Sequence, residues 1–415
     1  MKSLERWIGI ALINLAIVAL LGFTLRCKML FSIPFINFKY LLHAHSHFAF
    51  GGWVTVALLA LMTFQILPRQ MNRRPVYKWL LTGTLLTSYG MLLSFPFEGY
   101  ATASIICSTL FIFVAYAFAF VFTRDVLKTE ATKSVKLLSI AAVLYAALSS
   151  VGPFTLAYLM ASKSSESYLA KDAIYTYLHL QYNGFFTLAV FALLLHYLKQ
   201  ENKHTWRFSL LLNASIIPSM FISYLWHYDA GIVWLIAAIG CLLILSSLVV
   251  FFPMLRSLQP FFGNLQKSVR TIGAISMLAF ILKLFFQVLT IIPALSAMVF
   301  TNRPIIIGFL HLVLLGFVSL YLLAHFIQTN LLAFRGMIPF AITVFIIGVI
   351  VNELILFVQG LGVMLMMSSG IVNWLLLGAA VLLLFGAAMT AVFQWRLSRA
   401  FQTNHFRVFK QFSQS

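Results

Sequence analysis

The sequence predicts an all-α polytopic membrane protein of about twelve transmembrane helices, on three observations. Of its 415 residues 62% are hydrophobic and 9% are charged, a balance that no ordinary water-soluble fold carries. Apolar runs near the length needed to cross a bilayer, roughly 20 residues, recur from end to end. Each run is separated from the next by a short basic or polar patch.

Taken in order, the spans are predicted over 7–25, 41–66, 78–96, 101–125, 135–161, 171–199, 206–227, 230–253, 269–293, 303–328, 336–359 and 371–397. The first follows Met-Lys-Ser-Leu-Glu-Arg and has the look of a signal peptide. It lacks a small-residue cleavage site and is expected to remain as an anchor. No soluble domain, low-complexity linker or sequence repeat stands out, so 1–415 reads as a single transmembrane domain.

A formal charge of +19 would suggest nucleic acid in a soluble protein, but its distribution argues for topology. With the amino terminus inside, alternate connecting segments hold 21 of the 28 lysines and arginines, and the others hold 6. The remaining one, Lys283, lies within a span. By the positive-inside rule this places both termini in the cytoplasm and supports an even helix count. The expected setting is a bacterial inner membrane, with lipid rather than nucleic acid as the partner. Cys27, Cys107 and Cys241 have no metal-binding spacing and read as inert thiols.

The chemistry lies in the histidines. His43-Ala-His45-Ser-His47 opens the second span, and His179 sits eight residues, about 12 Å, down the sixth. His227 ends the seventh span within Trp226-His227-Tyr228-Asp229, and His311 lies in the first part of the tenth. Six of the ten histidines are thus expected in the outer third of the membrane, on four helices. Ionisable side chains at that depth need a partner, a metal or water. Imidazole is the commonest side-chain metal ligand and a frequent axial ligand of heme iron. Within the triplet, His43 and His47 share a helix face and His45 points away from it, so one helix cannot aim all three at one ion. The other four histidines, His196, His204, His325 and His405, read as interfacial or solvated.

With these residues in place, the chain resembles the twelve-helix catalytic subunit of the heme-copper oxidase superfamily. The resemblance is carried by His43-Ala-His-Ser-His-Phe-Ala-Phe-Gly-Gly-Trp, Tyr177-Leu-His179-Leu-Gln-Tyr-Asn-Gly, Tyr224-Leu-Trp-His227-Tyr and Gly308-Phe-Leu-His311-Leu-Val-Leu-Leu-Gly316-Phe. The opening histidines are also similar to those of NnrS-type heme and copper membrane proteins. The resemblance implies a b-type heme held by His311 and one residue of His43, His45 and His47, with copper or another metal at His179 and His227. It implies electron transfer or the handling of oxygen or nitric oxide, and, if the chain is an enzyme, an oxidoreductase. Its partners would be respiratory membrane subunits or a periplasmic electron carrier. The chain departs from that pattern at Phe309, which stands where the ligand of an oxygen-reducing heme belongs. A bis-histidine heme has no open iron position and suits electron transfer.

Lys283, Glu353, Asp229 and Tyr228 are further candidates for proton or polar roles; Lys283 and Gln287 stand i,i+4 on the ninth span. A second function class stays open: a transporter of metal ions or small solutes whose histidines bind a passing ion.

Overall fold

The computed structural model describes residues 2–164, 166–228, 231–365 and 370–412, with side chains from residue 3 to 397. Helices succeed one another without a strand among the described residues. The long ones are α1 (Ser3–Leu30), α2 (Phe38–Ile66), α3 (Pro75–Glu98), α4 (Thr102–Val126), α5 (Lys133–Ala161) and α6 (Ser167–Leu198). After them come α7 (Lys203–Met220), α8 (Gly231–Phe262), α9 (Lys267–Leu289), α10 (Arg303–Gln328), α11 (Ile338–Met364) and α12 (Ile371–Leu397).

Eleven of these helices, among the described residues, are long and apolar enough to cross a membrane. The protein is therefore multi-pass and contacts lipid. The exception is α7, which corresponds to the seventh predicted span. Lys203, His204, Arg207 and Asn213 dilute its hydropathy, and Pro218 precedes a tightened 3-10 turn, Phe221–Tyr224. Its serines Ser209, Ser215 and Ser219 are buried against neighbouring helices, so polarity here faces protein.

The helix ends are set locally. Asn37 caps α2 through its side-chain oxygen, which accepts from the Lys39 and Tyr40 amides, and Asn202 does the same for α7. Gly99, at φ +64°, turns the chain between α3 and α4 where a Cβ would strike the Tyr40 ring.

The chain folds as three sets of four helices. In each set the last two form a hairpin, α3–α4, α7–α8 and α11–α12, and the second packs on the first. The sets meet where α4 packs on α5, α8 on α9 and α12 on α1, which closes a ring. The second helix of each set is the inner one. Of the most apolar stretch, 83% is buried in α2 and α6 and 44% in α10, against 17–39% elsewhere.

This arrangement exposes a sequence repeat that the linear reading missed. His47, His179 and His311 stand 132 residues apart, and the same interval relates Gly52, Gly184 and Gly316. It also relates Trp53, Phe185 and Phe317; Thr55, Thr187 and Ser319; and Ala60, Ala192 and Ala324. Every one of these aromatic, hydroxyl and alanine positions is buried. The motif spans the inner helix of each set, and in all three a π-helical stretch begins within two residues of the histidine: Ala49–Thr55, Leu180–Phe186 and Leu312–Ser319. Side-chain donors satisfy carbonyls in these widened turns. Asn14 Nδ2 donates to Gly52 O (2.6 Å), Thr187 Oγ1 to Tyr182 O (2.6 Å) and Ser276 Oγ to Phe317 O (2.7 Å). Gly184 lies against Tyr145 of α5 and Gly316 against Ala279 of α9, so the first helix of each set crosses at the motif glycine. The sets are tied together by Trp53 Nε1–H, which donates to Ser319 Oγ at 2.8 Å.

Candidate functional site

The histidine triplet is divided as helix geometry requires. His45 turns towards α1, where its ring rests on Gly22 and its Nδ1 lies 3.2 Å from Val18 O. A carbonyl only accepts, so Nδ1 carries the proton and Nε2 presents a lone pair. His311 repeats the arrangement on α10, with Nδ1–H donating to Ile307 O at 2.8 Å. The two rings lie within Coulombic range of each other, and Arg26 lies within range of both. Neither Nε2 makes a hydrogen bond among the described residues. Among the described residues, the hydrogen bond of the Arg26 guanidinium is a weak one, to Met29 Sδ (3.7 Å). None of the nine residues Arg303–His311 is buried, in contrast to the packed inner helices.

His43 and His47 face the other way, towards the end of α3. His47 stacks on Phe95, centroids 4.6 Å apart, and its Nε2 lies 2.8 Å from the Tyr100 hydroxyl. His43 meets the Tyr100 ring edge-on at 4.7 Å, and its Nε2 is buried without a partner.

His179 and His227 are not brought together. His179 Nε2–H donates to Ile216 O at 2.8 Å, and Asn183 Nδ2–H donates to its Nδ1 at 3.1 Å, so both ring nitrogens are engaged. Asn183 Oδ1 in turn accepts from Lys283 Nζ (2.7 Å), which also donates to Thr187 Oγ1 (2.8 Å). Lys283 is thus fully buried in a private network, its charge facing the rings of Tyr182, Phe280 and Phe317. Gln287, one turn on, keeps a buried Oε1 with no partner. His227 lies two turns nearer the helix end. Its Nδ1–H donates to Tyr224 O (3.1 Å), and its Nε2 is 3.1 Å from Asp172 Oδ2 but out of line for a hydrogen bond. Tyr168, Trp226 and the half-exposed Tyr228 stack around it. Asp229 lies outside the described residues. Among those described, no three histidine, cysteine, aspartate or glutamate side chains converge in a way that could hold a metal.

Glu353 accepts from Asn352 Nδ2 at 3.1 Å. Gly308 faces Leu356, and Gly360 faces Ile305, so the antiparallel register of α10 and α11 puts Glu353 level with His311. At the opposite end of the bundle His325 is buried rather than interfacial. Its Nε2 meets Gln65 Oε1 at 2.7 Å, tying α10 to α2, with Tyr197 and Tyr321 beside it. Polar residues of separate helices satisfy one another there, which their positions along the chain did not reveal. His405 lies beyond the described side chains.

No family model matches the chain, and no curated protein matches it in sequence.

Proposed function

We propose that this chain is a heme protein of a bacterial inner membrane, working in respiratory-type electron transfer, with one b-type heme held between His45 and His311. One observation carries the reading. Two histidines from different inner helices both give Nδ1–H to a backbone carbonyl and, among the described residues, keep Nε2 free, within Coulombic range of each other and of an arginine that pairs with no described carboxylate. A backbone carbonyl that accepts from the far ring nitrogen is the usual support of a metal-bound imidazole, fixing tautomer and ring plane. Arg26 would meet a heme propionate. Held by the two imidazoles, such a heme would supply a one-electron carrier.

The positive-inside bias, with both termini in the cytoplasm, puts this clamp on the outer side, where a periplasmic electron carrier or a neighbouring respiratory subunit would reach it. His179 is already satisfied by Asn183 and Ile216, which speaks against copper there and against oxidase-type oxygen chemistry.

The test is a reduced-minus-oxidised visible spectrum of protein purified from a heme-replete host. A b-type band is expected, lost in His311→Ala and in His45→Ala but kept in His325→Ala, and unmoved by carbon monoxide. Wild-type protein without the band would overturn the reading. Transport of a metal ion through the histidines would then be the reading to pursue.

A further inference from the structure

We propose that His43 and His47 form a second site, for a copper ion in its cuprous state, separate from the His45–His311 clamp. The two imidazoles stand i,i+4 on one face of α2, the spacing that lets two side chains reach one ion. Both rings pack against the same two residues, Phe95 and Tyr100, which holds them together on the α3 side. His43 Nε2 is buried and makes no hydrogen bond, a condition that costs about 1–3 kcal/mol unless something occupies it. With its proton on Nδ1, His47 offers a second lone pair at Nε2. In that tautomer the Tyr100 hydroxyl, 2.8 Å away, donates to that nitrogen. Two nitrogen lone pairs on adjacent turns, one vacant and one covered by a displaceable hydroxyl, make a two-coordinate donor set.

Charge decides which ion fits. Lys39 and Arg303 lie within Coulombic range of His43. A divalent ion would be repelled by them twice as strongly as a monovalent one. Zinc also requires about four ligands, and no third histidine, cysteine or carboxylate joins the pair among the described residues. Imidazole suits copper, and Tyr100, 47% exposed, leaves a way in.

The full chain in detergent is titrated anaerobically with Cu(I) against a chromophoric chelator, and separately with Zn(II). One Cu(I) per chain is expected, bound at least tenfold more weakly in His43→Gln and in His47→Gln, and unchanged in His204→Gln. His43→Met supplies a thioether, a cuprous ligand, and should restore Cu(I) binding, which also excludes misfolding as the cause of the loss. Tyr100→Phe should bind as well as wild type or better. Affinity unchanged in both glutamine variants overturns the site, as does no Cu(I) bound by wild type. Zn(II) held more tightly than Cu(I) overturns the assignment of the ion. The readout needs no heme, so a failed heme spectrum leaves this test intact.

Discussion

Gly22 lies beneath the ring of His45: a Cβ on that glycine would come within 3.2 Å of His45 Cε1. The glycine is in the interior of α1, where the helix itself gains nothing from it. Leucine or alanine there would favour the helix by roughly 1 kcal/mol. Gly22→Leu should therefore fold in normal yield but push the imidazole off its Val18 hydrogen bond. Heme per chain, measured as the pyridine complex, should fall several-fold. A variant with full heme content would show that the His45 ring is not a ligand.

Arg26 lies within Coulombic range of both clamp histidines, and no carboxylate among the described residues pairs with it. A positive charge beside a heme favours the reduced state, which carries one charge less. Arg26→Gln should lower the midpoint potential by roughly 60 mV, the one-electron equivalent of about 1.4 kcal/mol. Arg26→Lys should keep most of it. Potentiometric titration of the b-type band decides, and a potential that rises in Arg26→Gln would sink the propionate contact.

The sequence carried the helix order well because apolar length is a local property. It also carried the division of the triplet, since 100° per residue is enough to separate His45 from His43 and His47. What it did not carry depends on distant partners. Lys283 finds Asn183 and Thr187 about a hundred residues away, and nothing beside Lys283 in the chain announces them. The seventh predicted span runs on through Phe221–Tyr224, where the regular helix, which ends at Met220 just after Pro218, has tightened to a 3-10 turn. The 132-residue repeat was visible in principle, as His47, Gly52 and Trp53 returning at His179 and His311. It was masked because few positions recur, and buried residues between them, such as Val54, Phe186 and Val318, differ from set to set.

The Lys283 network makes a prediction of unequal costs. Replacing both charge and polarity by a shape-similar apolar chain is often nearly neutral, whereas removing a partner strands the charge. Lys283→Met removes the charge but leaves the neutral acceptor Asn183 Oδ1 without its donor, and should cost about 1 kcal/mol. Asn183→Leu removes an acceptor from the ammonium and the donor to His179 Nδ1, and should cost about 3 kcal/mol. Thermal unfolding in one detergent, with both variants side by side, reads the order. A larger loss in Lys283→Met would mean that the lysine does more than hold Asn183.

Gly240 and Gly273 should respond to the same substitution with opposite signs. On α8, a Cβ at Gly240 would lie 2.3 Å from the Ser219 amide nitrogen and 2.6 Å from the Pro218 carbonyl carbon. These are backbone atoms of α7 and cannot swing aside, so Gly240→Ala must part the α7–α8 hairpin. Overpacking of this kind costs roughly 3 kcal/mol. On α9, nothing lies within 4 Å of a Cβ at Gly273, and alanine there relieves the entropy of a glycine inside a helix, worth about 0.5–1 kcal/mol. Gly240→Ala should therefore lower the unfolding temperature and Gly273→Ala should raise it slightly. Because α7 carries Ile216 and Ser219, which face His179, the loosened hairpin should also free that ring. Metal affinity absent from wild-type His179 but gained in Gly240→Ala would show that close packing of α7 and α8 is what keeps the imidazole engaged.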